Sequence, residues 1–483
     1  MKYKDVGFRC GIEIHNRLAT EGKLFCDCDA RFSKDREKLK VKRKLRAVAG
    51  ELGEVDVAAA FEFLRGRSFV YNCYPKETCL VDTDSEPPHD INEKAMVVAL
   101  QIAKMLKAKI PDEIHVMRKT VVDGSNTSAF QRTALVGTDG VLETSKGKVR
   151  IDNISIEEES AGIIGDKKDI TNFRLDRLGI PLIEIGTATD IKDPEHAKEV
   201  AEKLGMIVRS TGKSQRGIGV TRQDVNVSVS GGARVEIKGF QELGMIPTVI
   251  EKEVERQLYM IKKGQEPEEE TRLAKPDGTT EYMRPLPGGE RMYPETDVRP
   301  FVVTPELLRK IKLPETWEEK RKRFSKILPK EIADQVLKSE YLNIFEKLSK
   351  KHDIKLVATT LTSTIKDLRR NKIPTENLTE AHFNDIFEAL EKGKISKEAI
   401  PELLEFLSRK PSDTVGHALK DMGLEAITED KLREIVRKVI AANPEHAKAK
   451  RMGPLMGDVM KEVRGRIPGK TVARILREEL EKA

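Results

Sequence analysis

The sequence predicts an α+β protein: an N-terminal domain built on antiparallel sheet, then a helical domain, then a small helical tail. Three changes of texture along the chain carry that prediction. Up to about Leu313 the chain is rich in glycine, valine, isoleucine and turn residues. Several stretches there alternate apolar and polar side chains, the period of a half-buried strand. From Pro314 to about Lys410 apolar residues recur at helical spacing, as in Ile332–Leu348 and Ala381–Lys392. From about Pro411 onward come short basic helices, including Glu429–Ala442 and Thr471–Lys482. A chain of 483 residues is longer than one core organises, and the expected domains are 1–313, 314–410 and 411–483.

The first informative strand is Gly11-Ile12-Glu13-Ile14-His15. Alternation puts Ile12 and Ile14 on one face and presents Glu13 and His15 side by side on the other. Asn92 caps a helix running to Leu106, with Ala95, Val98, Ile102 and Met105 on one stripe. Ile154 to Glu159 ends an alternating stretch in three consecutive carboxylates, and Pro181–Ile185 places Glu184 inside an apolar strand. A carboxylate there is costly to bury unless it is paired or binds a cation. Asp193-Pro194 is a cap followed by proline at the first helical position, and that helix runs to about Ser210 and ends at Gly212.

The hairpin Asp224–Lys238 turns at Ser230-Gly231-Gly232. Valines 225, 227 and 229 alternate with Asp224, Asn226 and Ser228, and Val235 and Ile237 with Arg234, Glu236 and Lys238. With Val227 facing Val235, Asn226 faces Glu236 and Asp224 faces Lys238. Asp224 and Glu236 are then diagonal neighbours on one polar face, roughly 7–8 Å apart. Taken alone, a solvated outer face explains the same pattern.

Several carboxylates and one histidine on strands of one domain suit a hard divalent cation such as Mg²⁺; His15 as a direct ligand suits Mn²⁺ better. Such a site fits phosphoryl transfer. Gly212-Lys213-Ser214 and Gly469-Lys470-Thr471 both lack the earlier glycine of a Walker A loop, so any nucleotide is held in another way. The five cysteines, Cys10, Cys26, Cys28, Cys73 and Cys79, are an odd number for a disulfide framework. Cys26-x-Cys28 with Cys79 offers thiolates for zinc. Without a second clean CxxC, reduced and partly buried thiols are expected there in place of a zinc site.

The net charge of +7 is unevenly spread. Arg31–Arg46 and His446–Arg477 each carry nine Lys/Arg against two acids, which suggests an anionic partner, although a solvated helix face has the same composition. No run of about eighteen apolar residues and no signal peptide is present, and a soluble cytoplasmic protein is expected.

The motifs GIEIHNRL, SIEEESAG, DRLGIPLIEI, TRQDVNVSV, ARVEIKGFQEL and RMYPETDV occur in this order. With AANPEHAKAK and GPLMGDVMKEVRGRIPGKTV near the end, the chain resembles the GatB/GatE family over nearly its whole length. These are the kinase-and-tRNA subunits of tRNA-dependent amidotransferases. Gly124–Val136 and Glu51–Asp56 place the resemblance on the archaeal GatE side. There is one departure: Lys263–Pro267 runs straight into Glu268–Arg272, where GatE proteins carry an insertion resembling a domain of aspartyl-tRNA synthetase.

The resemblance implies a cradle-shaped first domain and a metal and phosphorylation site on Glu13, His15, Glu159, Glu184, Asp224 and Glu236, with Glu159 chosen among its neighbours by the resemblance alone. Lys238, Arg222, Tyr293 and Glu295 are expected to line the same cleft. Lys448, Lys450, Arg451, Lys461, Arg464, Arg466 and Lys470 of the tail are expected to contact tRNA, mostly at phosphates. The implied activity is ATP-dependent phosphorylation of the γ-carboxylate of Glu-tRNA(Gln), followed by ammonia transfer. No amidase-like nucleophile is evident, and the resemblance implies a GatD-type asparaginase-like partner that supplies the ammonia. The assembly that the resemblance implies is a hetero-oligomer, with a dimer of heterodimers as one form. Two alternatives stand beside this: a GatB-like range that includes Asp-tRNA(Asn), and a non-catalytic tRNA-binding protein of the same fold.

Overall fold

The computed structural model describes residues 2–49, 53–215, 217, 219–288, 292–424, 427–449, 451–463, 466–467 and 469–481. The chain divides into two compact units, meeting in sequence at Trp317/Glu318.

Strands of the first unit are, in chain order, β1 (Arg9–Arg17), β2 (Leu39–Arg43), β3 (Ser68–Cys73), β4 (Glu113–Ile114) and β5 (Val116–Thr120). There follow β6 (Phe130–Thr144), β7 (Gly147–Glu158), β8 (Gly162–Lys167), β9 (Ile170–Arg174) and β10 (Pro181–Thr187). The last are β11 (Thr221–Ser228), β12 (Val235–Lys238), β13 (Glu270–Ala274), β14 (Thr280–Pro285), β15 (Met292–Pro294) and β16 (Phe301–Val302). Its longer helices are α1 (Val57–Leu64), α2 (Glu93–Met105), α3 (Pro194–Ser210) and α4 (Ile246–Lys262).

Ten strands form one sheet in the order β14-β13-β12-β11-β1-β10-β7-β6-β5-β15, and β2-β3-β9-β8 form a smaller one. The large sheet is antiparallel as expected, except that β13 runs parallel to β12. A parallel neighbour needs a crossover, and α4 supplies it.

Alternation decides the two faces of the large sheet. Ile12 and Ile14 of β1, Ile183 and Ile185 of β10, Val225 and Val227 of β11, and Ile154 and Ile156 of β7 point to one side. There they form a core with buried residues of α2, α3 and α4. Those helices start and stop where the sequence signals them. Asn92 caps α2 by accepting from the Ala95 N–H, and Asp193 caps α3 by accepting from His196 ahead of Pro194. Gly212 closes α3 at a left-handed φ of 72°, which glycine adopts without steric cost. The other face of the sheet carries the polar members of the same strands, among them Glu13, His15, Glu184 and Asp224.

The second unit is helical. Helices Glu380–Glu391, Glu429–Ala442 and Gly469–Leu480 lie within two residues of their expected bounds. The expected single helix over Ile332–Leu348 is two, Lys330–Lys338 and Leu342–Leu348. Ser339 between them is extended, and its hydroxyl accepts from the Tyr341 N–H, a local bond that replaces a helical one. The expected boundary at 410/411 falls just ahead of a helix, Val415–Asp421, that packs on the two before it. Buried residues from Leu432 to Leu480 make an apolar cluster of their own.

Candidate active site

β1 runs between β10 and β11, so each polar residue of Glu13 and His15 has two cross-strand neighbours. Glu13 opposes Gly186 and Asp224, and His15 opposes Glu184 and Arg222. The hairpin pairs Asn226 with Glu236 and Val227 with Val235, the register its alternation predicts. Four strands thereby bring Glu13, His15, Glu184, Asp224, Glu236 and Lys238 onto one face.

Their contacts knit them together. His15 Nε2 is 3.1 Å from Glu184 Oε2, and its Nδ1 is 3.9 Å from Asp224 Oδ2. Lys238 Nζ bridges the hairpin carboxylates, 2.5 Å from Asp224 and 3.0 Å from Glu236. Asn226 donates to Glu13 at 3.4 Å, Asn153 to Glu184 at 3.2 Å, and Thr271 to Glu236 at 3.0 Å. Gly186 makes room for Asn153: a Cβ there would stand 2.3 Å from the Asn153 side-chain oxygen. Donor atoms of Glu13, His15 and Asp224 all lie within 4.8 Å of one another, as do those of His15, Glu157 and Glu184. Each set of oxygens and one imidazole nitrogen fits a divalent cation in ligand type and spacing.

The charges here are strongly perturbed. Burial pushes the Glu13 carboxyl up, and the neighbouring charges of Glu184 and Glu236 push the same way. Burial also acts on Asp224 in that direction, but the Lys238 ammonium and then His15 hold it below the ordinary value. For His15 burial favours the neutral ring, yet the hydrogen bond and charge of Glu184, then Asp224 and Glu157, raise its pKa to about 9. Several buried acids held beside paired cations are the usual signature of a site that receives further charge.

Sequence reasoning does not single out Glu157, although a usable signal is present. Ile154 and Ile156 face the core, so Ser155 and Glu157 share the polar face, and Glu159 falls beyond the end of β7. Glu157 accepts from Lys119, Gln131 (3.0 Å) and Thr133 (2.9 Å), and Lys119 also lies 3.5 Å from Glu184. Glu159 stands apart from both donor sets. Its Oε2 accepts from Arg222 at 2.7 Å, and its Oε1 from Arg222 at 2.9 Å and Arg177 at 3.0 Å.

Tyr293 and Glu295 do not join the cleft as expected. Tyr293 opposes Arg118, while the site residue Lys119 opposes Met292, so alternation puts Tyr293 on the other face. Glu295 is buried and ion-paired to Arg118 (2.6 Å) and Arg132 (2.8 Å), which locks the end of β15 onto β5 and β6.

The five cysteines are free, and each is buried or half-buried. Cys26, Cys28 and Cys79, with Asp82, offer donor atoms all within 4.8 Å of one another, a set of the kind that binds borderline-soft metals. Asp82 already takes the fully buried Lys23 ammonium at 2.8 Å and the Cys79 N–H at 3.0 Å. The sequence pattern names the three cysteines and misses Asp82, three residues beyond Cys79.

In the tail, Arg451, Lys461 and Lys470 are exposed and Arg466 is half-buried. Lys461 is 3.0 Å from Asp458. Lys450, Arg464 and the side chain of Lys448 lie outside the described residues. Among the described residues, no helix is long and apolar enough to cross a membrane.

Comparison with known proteins agrees with this architecture. The family described as GatB/GatE catalytic domain matches residues 8–309, and that described as GatB domain matches residues 343–480. A protein of Methanosarcina barkeri, named as a subunit of glutamyl-tRNA(Gln) amidotransferase, is 36% identical, over 99% of this chain and 98% of its own. Proteins of the same name from Archaeoglobus fulgidus and Methanocaldococcus jannaschii are 35% and 34% identical, covering 100% and 99% of this chain and 99% of each relative. The Methanosarcina barkeri comparison extends over 623 positions against the 483 residues here, so well over a hundred residues of that relative have no counterpart. In this chain α4 leads to β13 through Lys263–Glu269 alone. With a polar, carboxylate-lined sheet face in the matched region and matches along almost the whole length, the chain belongs to the GatB/GatE family.

Proposed function

We propose that this chain is the tRNA-binding, carboxylate-activating subunit of an amidotransferase that converts Glu-tRNA(Gln) to Gln-tRNA(Gln) with ATP. The observation that carries the reading is the convergence of Glu13, His15, Glu157, Glu184 and Asp224 on one sheet face. The family membership and the name its relatives bear supply the reaction class.

In this reading a γ-carboxylate oxygen of the tRNA-bound glutamate attacks the terminal phosphorus of ATP. The bond to the bridging oxygen breaks, and ADP leaves. Ammonia then attacks the acyl carbon of the resulting acyl phosphate, phosphate departs, and the surplus proton passes to a neighbouring base or water. A divalent cation, Mg²⁺ or Mn²⁺, held by Glu13, His15 and Asp224 or by His15, Glu157 and Glu184 would neutralise phosphate charge. The chain's own cations do related work. Lys238 stands on Asp224 and Glu236, and Lys119 on Glu157, each held by hydrogen bonds beside the place where charge develops. Asn153, seated by Gly186, fixes the Glu184 carboxylate that His15 contacts. Residues 1–313 act as the catalytic cradle, 314–410 as a helical domain and 411–483 as the tRNA-binding tail. A GatD-type partner supplies ammonia in a cytoplasmic hetero-oligomer.

The test is inorganic phosphate release from ATP and Mg²⁺ by the purified chain, with and without Glu-tRNA(Gln). Stimulation by the charged tRNA, lost on adding a chelator and reduced on the order of 100-fold or more in Asp224→Ala and Glu236→Ala, is the expected result. If tRNA binds and no stimulation appears even with a GatD-type partner present, the chain is a binding module and the catalytic reading fails.

A further inference from the structure

Arg17 continues the row that carries Glu13 and His15, on the same strand, the same face and two residues further along. It is 5% exposed, and its Nε has no hydrogen-bond partner. One face of the guanidinium lies over the Phe32 ring, 5.1 Å from its centre. His15 opposes Arg222, so Arg17 and Arg222 are diagonal neighbours across the β1–β11 pair, roughly 7–8 Å apart at the backbone. Arg222 and Arg177 both hold Glu159, whose charge and theirs act on Arg17. Three guanidinium groups thus gather about one carboxylate.

The imbalance has a physical meaning. Burying a cation without its own counter-ion is costly, and Arg17 is buried with its Nε unpaired while Arg177 and Arg222 take the Glu159 carboxylate. What Arg17 lacks is a negative charge paired to it and an acceptor for its planar N–H fork. A phosphoryl group supplies both, as a dianion with three acceptor oxygens. Arg222 and Arg177 keep side chains 35% and 25% exposed, so the cluster reaches solvent although Arg17 itself is buried. The metal-competent donors begin one step along the same strand face, at His15.

We propose that Arg17, together with Arg177 and Arg222, forms a phosphate-binding subsite beside the carboxylate cluster, its ligand a nucleotide polyphosphate or the phosphodiester at a tRNA 3′ end. The inference rests on the phosphoryl-transfer reading of this sheet face and adds the residues that take the anion. Glu159 then has a different part from the acids of the donor sets: it holds two of the three guanidinium groups in place.

The test uses the full chain and two probes, adenylyl imidodiphosphate with Mg²⁺ and deacylated tRNA(Gln) ending in CCA. Dissociation constants are measured for the wild type, Arg17→Gln and Arg17→Lys. Loss of a charge-assisted bond to phosphate predicts affinity weakened about 10- to 100-fold for one probe in Arg17→Gln, with partial recovery in Arg17→Lys. Loss for the nucleotide assigns the subsite to ATP; loss for tRNA alone assigns it to the polynucleotide end. Melting of the unliganded proteins separates binding from folding. Removing a buried charge that lacks a counter-ion leaves the melting temperature of Arg17→Gln equal to or above that of the wild type, whereas a structural arginine would lower it. Unchanged affinity for both probes, or a lowered melting temperature, overturns the subsite. Nucleotide binding through Arg17 without tRNA-stimulated phosphate release supports the subsite and removes the catalytic reading.

Discussion

Burial alone would push the Glu159 carboxyl upward, but the charge and paired hydrogen bonds of Arg222, and then Arg177, bring its pKa down to about 2. An unfolded glutamate titrates near ~4.3, so the unfolded chain binds the proton more readily than the folded one. The folded-state pKa is depressed, and the sign follows: the contribution is present above ~4.3 and is lost as pH falls toward 2. For a side chain this deeply buried it amounts to about 3 kcal/mol. Glu159→Gln is therefore expected to melt below the wild type at pH 7, with the gap closing between about pH 5 and pH 2.5. Circular dichroism melts across that range check it, and a gap that stays constant with pH would show that the clasp is not what Glu159 contributes. The same residue marks the limit of reading side chains from sequence. Alternation alone places Glu13, His15, Asp224 and Glu236 on one face, because each strand's phase is set by its own isoleucines or valines. It also favours Glu157, and only resemblance favours Glu159. Arg177 and Lys119 are invisible to it, since their partners come from segments distant in sequence, as with Lys119 and Glu157, 38 residues apart.

Strand β2 sits at the edge of the four-stranded sheet, with Lys40 and Lys42 exposed on it and Lys34, Arg36, Lys38, Lys44 and Arg46 exposed in its flanks. Lysines blunt an edge against unwanted strand pairing, and that alone would account for some of them. Seven exposed cations in thirteen residues also make a surface that collects phosphates. Among the described residues, the acid that pairs with this strand's lysines is Glu37, 3.2 Å from Lys40. Lys40→Glu combined with Lys42→Glu is expected to weaken tRNA binding severalfold at about 0.1 M salt and to flatten the plot of log affinity against log salt by roughly one to two. An unchanged slope would leave β2 with edge protection only. Elements with local signals, such as α2 and α3 with their caps, are readable from sequence to within a residue or two. The break at Ser339 is not, because the helical pattern of apolar residues continues across it and the interruption depends on where the Tyr341 ring packs, edge-on to Phe383 at 5.5 Å.

At the scale of the whole chain, the catalytic reading and the tRNA-binding reading depend on different units. The candidate site lies wholly in residues 2–317, on a sheet whose ten strands come from positions 9 to 294. The expected tRNA contacts fall in the sequence of the second unit, where the apolar cluster of the last helices includes Leu455 and Val459, both fully buried. Removing a buried leucine or valine side chain costs about 1–5 kcal/mol, and two in one small cluster would take much of the stability that such a core supplies. Leu455→Ala with Val459→Ala should therefore loosen the tail and lower tRNA affinity at least tenfold. Mn²⁺ binding to the first unit, followed by electron paramagnetic resonance, should remain at the wild-type level, since no ligand of either donor set is altered. This variant also bears on the residues that the relatives possess and this chain lacks. If tRNA affinity survives the loss of the tail's core, the first unit holds the tRNA by itself, with β2 the leading surface. If affinity collapses while Mn²⁺ binding persists, the tail is the principal tRNA anchor in a chain that has dispensed with those additional residues, and the site on the sheet face receives only the aminoacylated end.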